Sequence, residues 1–434
     1  MKKLLKDNLL ILGLCASIFA FGFLIHINPA VPFFLIILYL LFYKRFAKIK
    51  GASLTNLSFL FLVSFSLGYL FLKQGLTFYY IPIAIIPMLA ILLFDNFEIA
   101  FFLSLATSVS LATLTPEPFK AWFIFMASCA SAMVFAKDAR KRSKVIQAGA
   151  LAGLFQLLSL ILLENLQIFG PQRYMVIVIN GLLSGVITLG ILPLFEYILQ
   201  TVTNISLLEL ADLNHPVLQR MILEAPGTYH HSLIVGNLSD TACSAVGANG
   251  LLARIGAYYH VIGKLHKPEY FIENQNVKKN RHDDLSPTMS KLVIMNHIKE
   301  GLEMAKKYSL SPALWSFIQQ HHGNSLVYYF YRRALEGKEE DGEVTEEGFR
   351  YPGPKPDTKE TAIVLLADSV EAATRSLKDP SPDKIEETVH KVINNKFIDG
   401  QLDACELTLK DIEKISGVFI KILSGIYHSR ISYS

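Results

Sequence analysis

Long apolar stretches fill the first 200 residues and become rare in the rest of the chain. A helix of about 20 apolar residues crosses the hydrocarbon core of a bilayer, so each long stretch is a candidate span. Residues 1–200 are therefore predicted to form a helical membrane domain of about eight spans, of which the second is the shortest. The stretches are 9–25, 32–43, 54–72, 78–94, 99–114, 121–135, 145–163 and 175–199.

Residues 201–434 show the polar and apolar periodicity of amphipathic helices, and no alternating strand pattern of convincing length. The whole chain is therefore predicted to be all-α. Ser311, Thr358, Ser381 and Thr408 each precede such a helix and are good N-cap residues. The first of these helices, 312–322, should carry His321 and His322 on its last turn. Leu207, Leu208 and Leu210 indicate a helical connector, which is either a stiff transmitter or a simple tether; the last helix presents Ile412, Ile415, Val418, Phe419 and Ile422 on one face.

Composition supports a membrane protein, because 52% of the residues are hydrophobic and only 18% are charged. Basic clusters lie at "MKKLLKDN", "YKRFAKIKG" and "AKDARKRSK", and such clusters stay cytoplasmic. They favour a multi-pass protein of the cell inner membrane with both termini in the cytoplasm. The N-terminal run is interpreted as an uncleaved anchor rather than a signal peptide. A net charge of +4 is too small to indicate a nucleic-acid polymer as partner.

Histidines recur through the second half of the chain, together with one acid in "LLADSVEAA". Neutral imidazoles and carboxylates bind Mn, Fe or Zn, and two such ions can hold a phosphodiester between its attacking and leaving oxygens. Any one histidine is more often a packing or surface residue, but ligands spread over several helices are typical of a two-metal centre in a helical bundle. The four cysteines form no C-x-x-C pair and are interpreted as packing residues. The candidates are His230, His231, His260, His297, His321, His322 and Asp368.

The segments that contain these residues resemble the HD-domain phosphohydrolases, and specifically the membrane-bound 7TMR-HD family. The resemblance is carried by "LLELADLNHPVLQRMILEAPGTYHHSLIVGNL", "LLARIGAYYHVIGK", "FIENQ", "HHGNSLVYYFY", "FRYPGPKP" and "LADSVEAATRSL", which cover the second half of the chain. The first half is similar to the family in span number and topology. It lacks the large extracytoplasmic domain that family members carry after the first span, since only "HINPAVP" separates the first two stretches.

The resemblance implies a cytoplasmic HD domain over 201–434 that hydrolyses a cyclic dinucleotide, in particular cyclic di-AMP, to its linear form. It implies two divalent transition-metal ions, Mn or Fe, held in one group by His231, His260 and Asp368 and in the other by His297, His321 and His322. His230 is the less favoured member of its pair. Lys264 is expected near the scissile phosphate, and a homodimer is a further expectation. Residues expected to bind substrate are Tyr259, Asn274, Tyr351 and Arg375, although core packing is the favoured interpretation for most tyrosines, including Tyr258, Tyr328 and Tyr329.

One position departs from the family, which has an aspartate bridging the two ions where this chain has Val261. Valine offers no donor atom and removes a negative charge, and Asp283 and Asp284 have no spacing that would let them replace the aspartate. Two interpretations follow: a strongly impaired phosphodiesterase, or a catalytically silent receptor or scaffold that binds the nucleotide. A transporter is disfavoured, because the apolar stretches contain hardly any ionisable residues.

Overall fold

The computed structural model describes residues 53–164, 171–275, 280–337 and 344–427. It divides the chain into two compact units, 1–206 and 207–434. Among the described residues both units are helical, and the one β-contact is an isolated bridge between Leu326 and Arg350. The predicted all-α fold is therefore confirmed. The predicted spans 9–25 and 32–43 lie outside the described residues.

The described part of the first unit contains six helices before residue 200. Four of them are long and apolar enough to cross a membrane, namely α1, α4, α5 and α6, while α2 and α3 are shorter apolar helices. This set of apolar helices indicates a membrane protein. The helices are α1 (Leu54–Lys73), α2 (Ile85–Phe94), α3 (Phe97–Ala112), α4 (Pro118–Ala136), α5 (Arg142–Leu163) and α6 (Pro171–Leu199).

The predicted span 78–94 is not one helix. It divides into a short 3-10 turn, Phe78–Tyr80, and the ten-residue helix α2, all of whose residues are buried. Pro82 lies in the extended segment between them and has no N–H to donate to a continuous helix. At 1.5 Å per residue α2 is only about 15 Å long, which is half of the hydrocarbon thickness. The predicted stretch 78–94 is therefore a broken apolar segment rather than one continuous helix.

Helices α5 and α6 approach each other through glycines. A Cβ atom on Gly181 would overlap the backbone of Gly153, and one on Gly149 would lie 2.6 Å from the carbonyl oxygen of Gly181. Gly185 similarly faces the carbonyl of Val145 at 2.9 Å. In a membrane, apolar side chains gain little by moving from lipid to a helix interface. Small residues instead let the two helix backbones pack directly against each other.

The boundary between the units falls within a short helix, α7 (Asn204–Leu210). The predicted helix caps are observed in the second unit. The side chains of Ser311, Thr358, Ser381 and Thr408 each accept a backbone N–H in the first turn of the helix that follows. The helices are α8 (Pro216–Glu224), α9 (Pro226–Ala245), α10 (Gly250–Tyr259), α11 (Pro287–Lys307), α12 (Pro312–Gln320), α13 (Tyr328–Glu336), α14 (Lys359–Arg375), α15 (Pro382–Ile398) and α16 (Leu409–Ile426).

The core of the second unit forms where α9 packs against α10, α14 and α16. Most residues of α14 are buried, so this helix passes through the interior. The turn after α10, Ile262–His266, packs on α11, and a Cβ on Gly263 would overlap the carbonyl of His297. Glycine at this position lets the turn and α11 approach each other closely beside the predicted ligands.

Candidate metal centre

Five helices bring the predicted ligands together. His231 lies in α9, His297 in α11 and Asp368 in α14. The other three histidines follow the ends of helices, since α10 ends at Tyr259 and α12 at Gln320. His321 and His322 therefore lie directly after α12 rather than on its last turn, and Gly323, at φ +54°, continues the chain away from the helix. His230 is exposed and does not join the cluster.

The six ligand candidates form two groups of three. His231, His260 and Asp368 make one group, and His297, His321 and His322 make the other. Within each group the potential ligand atoms all lie within 4.8 Å of one another. These are the two groups that the family resemblance implied.

The ring nitrogens of the histidines are oriented by their neighbours. Nδ1 of His260 lies 2.6 Å from the carbonyl oxygen of Ala257, and Nδ1 of His297 lies 2.6 Å from that of Ile294. Nδ1 of His321 lies 3.0 Å from the carbonyl of Ile318. A carbonyl can only accept a hydrogen bond, so each Nδ1 carries the proton and each Nε2 keeps its lone pair for a metal.

Two of the Nε2 atoms in the cluster have no hydrogen-bond partner among the described residues. These are Nε2 of His231 and Nε2 of His260, and both atoms are buried. Nε2 of His231 lies 3.0 Å from Oδ1 of Asp368, and Nε2 of His260 lies 3.5 Å from the same oxygen. Neither contact is a hydrogen bond. Buried polar atoms normally find a partner, so these atoms fit a divalent ion that the carboxylate would share.

Electrostatics keep most of the cluster in the ligand form. Burial, reinforced by the charge of Lys264, lowers the pKa of His297 to about 4. Burial also lowers the pKa of His260, and that of His321 and His322 well below the usual value. These imidazoles are therefore neutral at neutral pH, as metal ligation requires.

Asp368 belongs to the first group and also faces His322 of the second. Its Oδ1 faces His231 and His260, while its Oδ2 lies 3.5 Å from Nδ1 of His322. Burial opposes its charge, but the adjacent imidazoles of His231, His260 and His322 outweigh burial and hold the pKa of Asp368 well below the usual range. The carboxylate is thus ionised in the interior and can balance cationic charge.

Val261 is 1% exposed and begins the turn that carries Lys264. The Lys264 ammonium lies 2.6 Å from Oε1 of Glu273 and 4.9 Å from the centre of the Phe271 ring. Although burial opposes the charge of Glu273, Lys264 lowers the pKa of that carboxyl to about 2. Lys264 is therefore fixed beside the cluster as half of a charged pair, and Val261 adds no donor atom next to His260.

The residues predicted to bind substrate have different surroundings. Tyr351 reaches the cluster, with its ring stacked on that of His322 at 4.3 Å between centroids. Arg375 lies 3.4 Å from Glu371, a buried acid beside the cluster. Asn274 accepts from the backbone N–H of Thr228 and donates to its hydroxyl, which fixes the first turn of α9.

The remaining tyrosines lie away from the ligand groups or pack elsewhere. Tyr259 is fully buried and donates its hydroxyl to the carbonyl of Leu210, so the structure places it in the core. Tyr258 packs against Gly236, whereas Tyr328 and Tyr329 are exposed. Asp283 lies in the turn Arg281–Asp284 beside Arg333.

Two residues near the cluster were missed by sequence reasoning. Glu371, which is 1% exposed, contacts Nδ1 of His231 and orients that ring. It follows Asp368 by three residues and so shares its helix face, a signal that could have found it. Lys396 in α15 donates to Ser325 at 2.7 Å, and its charge acts on Asp368 and His322. No local pattern marks it.

The fold and ligand set define the class of protein: the second unit is an HD domain. The HD-domain family model matches residues 228–373, and the model of the 7TM receptor with intracellular HD hydrolase matches residues 23–203. The two models match the two halves of the chain in the order of a 7TM receptor that carries an intracellular HD hydrolase.

Similar proteins carry a more specific name. The chain is 45% identical over 315 residues to the cyclic-di-AMP phosphodiesterase PgpH of Bacillus subtilis (strain 168), covering 71% of this chain and 44% of that protein. It is 39% identical over 360 residues to the protein of the same name from Listeria monocytogenes, covering 81% of this chain and 50% of that protein. The chain thus spans about half the length of the curated relatives it matches.

A solved structure is also similar to the chain. It is the HD domain of L. monocytogenes phosphodiesterase PgpH, which is 44% identical and covers 50% of this chain and 100% of its own, with a TM-score of 0.47. A second structure of that domain, in complex with cyclic-di-AMP, gives the same values.

Proposed function

We propose that this protein is a membrane-anchored, metal-dependent phosphodiesterase that opens cyclic di-AMP to its linear form, and that Val261 strongly impairs it. The observation that carries the proposal is the pair of ligand groups that share Asp368 inside an HD domain. Two relatives, at 45% and 39% identity, are named as cyclic-di-AMP phosphodiesterases, and this supports the choice of substrate.

Each residue of the cluster has a role in the proposal. His231, His260 and Asp368 hold one divalent ion, and His297, His321 and His322 hold the other, Mn or Fe. When bound, such ions stabilise the charge on the attacking and leaving oxygens of a phosphodiester. Lys264, held by Glu273, offsets charge that develops on the phosphate. Tyr351, stacked on His322, limits how the nucleotide can enter beside that ligand.

Val261 explains why the proposed activity is weak. The family resemblance places an aspartate at this position, where its carboxylate would join the two ions. Without it, Asp368 is the one carboxylate of the described residues that reaches both groups. Losing a ligand that orients and neutralises two ions weakens both metal binding and catalysis.

Val261 also favours a second function, that of a receptor or scaffold without catalysis. With six ligand candidates retained and Val261 in the bridging position, the domain could bind a metal and the cyclic dinucleotide without hydrolysis. The protein would then be a silent receptor or scaffold. Bound nucleotide without turnover distinguishes this function from a slow enzyme.

The proposal extends to the rest of the molecule. The apolar helices of the first unit anchor the protein in the cell inner membrane with several spans. The basic clusters keep both termini, and hence the HD domain, in the cytoplasm, where a cyclic dinucleotide is available. A homodimer is part of the proposal, and no nucleic-acid polymer is.

The decisive experiment restores the carboxylate. The full chain, purified in detergent with added Mn, should hydrolyse cyclic di-AMP slowly or not at all. V261D should raise turnover at least about 10- to 100-fold, because it supplies the missing ligand. Hydrolysis is measured by separating linear from cyclic dinucleotide, and metal content is measured on the same samples.

V261N is the matched control, because asparagine has the size of aspartate without its charge. It should remain near the activity of the parent chain. The proposal is wrong if V261D binds two ions per chain and still shows no gain. Nucleotide binding by the parent, with no turnover before or after the substitution, would establish the receptor function instead.

A further inference from the structure

Lys396 lies beside the cluster in a defined position. Its ammonium donates to the hydroxyl of Ser325 at 2.7 Å, and Ser325 is 5% exposed. The backbone N–H of Ser325 in turn donates to the carbonyl of His322 at 3.1 Å. The ammonium is therefore held against the turn that presents His321 and His322 to the metal centre.

Lys396 is half-buried. Desolvation lowers the pKa of Lys396, while the charges of Asp368 and Asp399 act to raise it. Among the described residues no carboxylate lies within ion-pairing distance of the Lys396 ammonium. Lys264 on the same cluster differs, because Glu273 lies 2.6 Å from its ammonium.

A partly desolvated ammonium that has no direct ion-pair partner gains by pairing with an anion. The charge of Lys396 acts on His322 and Asp368, so an anion bound to Lys396 would sit next to the ligand groups. His322 is also the most exposed member of the cluster, with 21% of its side chain accessible. His322, whose turn Lys396 contacts through Ser325, is therefore the ligand candidate that a bound molecule reaches most readily.

We infer that Lys396 is a substrate-binding residue whose ammonium pairs with a phosphate group of the cyclic dinucleotide. The inference rests on the proposed function, because a cyclic dinucleotide carries two phosphates, each with one negative charge. One phosphate would lie at the metal groups, and Lys396, held beside His322 through Ser325, would pair with the other. If Lys396 had only a structural role, its hydrogen bond to Ser325 would account for that role and its charge would not affect nucleotide binding.

The test measures binding of cyclic di-AMP to the full chain in detergent with Mn present. K396Q removes the charge and should weaken binding about 10- to 100-fold, which is the usual effect of losing a charge-assisted hydrogen bond. It should also make the dissociation constant less sensitive to salt, because one screened ion pair is gone. Metal content should not change.

Two controls separate this role from a structural one. K391Q removes an exposed lysine from the same helix and should bind as the parent does. S325A removes the hydroxyl that Lys396 contacts but leaves the ammonium, so binding should fall by no more than about threefold.

Each other outcome overturns the inference. Unchanged affinity in K396Q refutes it while leaving the proposed function intact. An equal loss in S325A and K396Q shows that Lys396 acts by holding the turn. If the metal-loaded parent binds no cyclic di-AMP at all, both the inference and the proposed function fail together.

Discussion

Buried hydroxyls of the apolar helices and the buried imidazoles of the metal centre find partners in different ways. In the first unit, several hydroxyls turn back to their own helix: those of Ser104, Thr107 and Ser110 in α3 each donate to a carbonyl four residues earlier. Ser184 and Thr188 in α6 do the same. In the second unit, imidazoles and carboxylates from five helices meet one another, and some nitrogens have no partner. Local satisfaction serves the fold, whereas unsatisfied groups gathered from distant elements indicate a ligand.

The largest effect that tests this contrast is the loss of a metal ligand. H231A should reduce metal content by about one ion per chain, because it removes one of three donors from its group. In the V261D background, hydrolysis should fall at least about 100-fold. Metal analysis after dialysis and nucleotide turnover measure the two effects.

H230A is the matched control, because His230 precedes His231 in the same helix but is exposed. It should keep both metal and activity. Equal metal content in the two variants would contradict the assignment of the unsatisfied nitrogens to an ion.

The glycine contact of α5 and α6 is the corresponding feature of the first unit. G181L should destabilise the protein by at least about 3 kcal/mol, because its Cβ would overlap the Gly153 backbone and neither helix can yield without separating. Thermal unfolding in detergent measures the loss. G190L is the control on the same helix, since a Cβ there meets no atom within 4 Å. Similar stability of both variants would exclude a close helix contact.

The buried histidines predict a pH dependence for the metal-free protein. Their pKa is lowered on folding in His260, His297, His321 and His322, so the unfolded chain binds more protons below about pH 6.5. Stability should therefore fall as the pH decreases from 6.5 towards 4, by about 1.4 kcal/mol per unit for each such histidine. His231 acts in the opposite direction, because its carboxylate neighbours outweigh burial and raise its pKa.

Unfolding by denaturant at pH 7.0 and 5.5 measures this dependence. H390Q, which removes an exposed histidine, should show the same slope as the parent. Equal stability at the two pH values would mean that the histidines are not held neutral.

The smallest effect is expected for a locally satisfied hydroxyl. S104A should cost less than about 1 kcal/mol, because its hydroxyl bonds only to the carbonyl of Ala100 in its own helix. Unfolding in detergent gives the value. A loss above 2 kcal/mol would show that this hydroxyl has a partner elsewhere and would weaken the contrast between the units.

Features set by neighbouring residues could be predicted from the sequence. The caps at Ser311, Thr358, Ser381 and Thr408 depend on one turn of backbone, and all four are observed. The break at Pro82 is equally local, yet the average hydropathy of 78–94 concealed it.

The candidate site could be predicted only where a recognisable motif carried it. The ligand groups followed from segments that resemble a known family. Glu371 and Lys396 act through contacts with His231 and Ser325, which lie 140 and 71 positions away in the chain. Such contacts exist only once the helices have packed.

The shared carboxylate of Asp368 has a thermodynamic consequence. An ion bound by one group would draw electron density from the oxygen facing it and so would change the affinity of the other group through the same carboxylate. Two such occupancies would be linked reciprocally: whatever factor the first ion imposed on the second, the second would impose on the first. Among the described residues Asp368 is the carboxylate that faces both groups, so titration of the parent chain with metal would test this coupling.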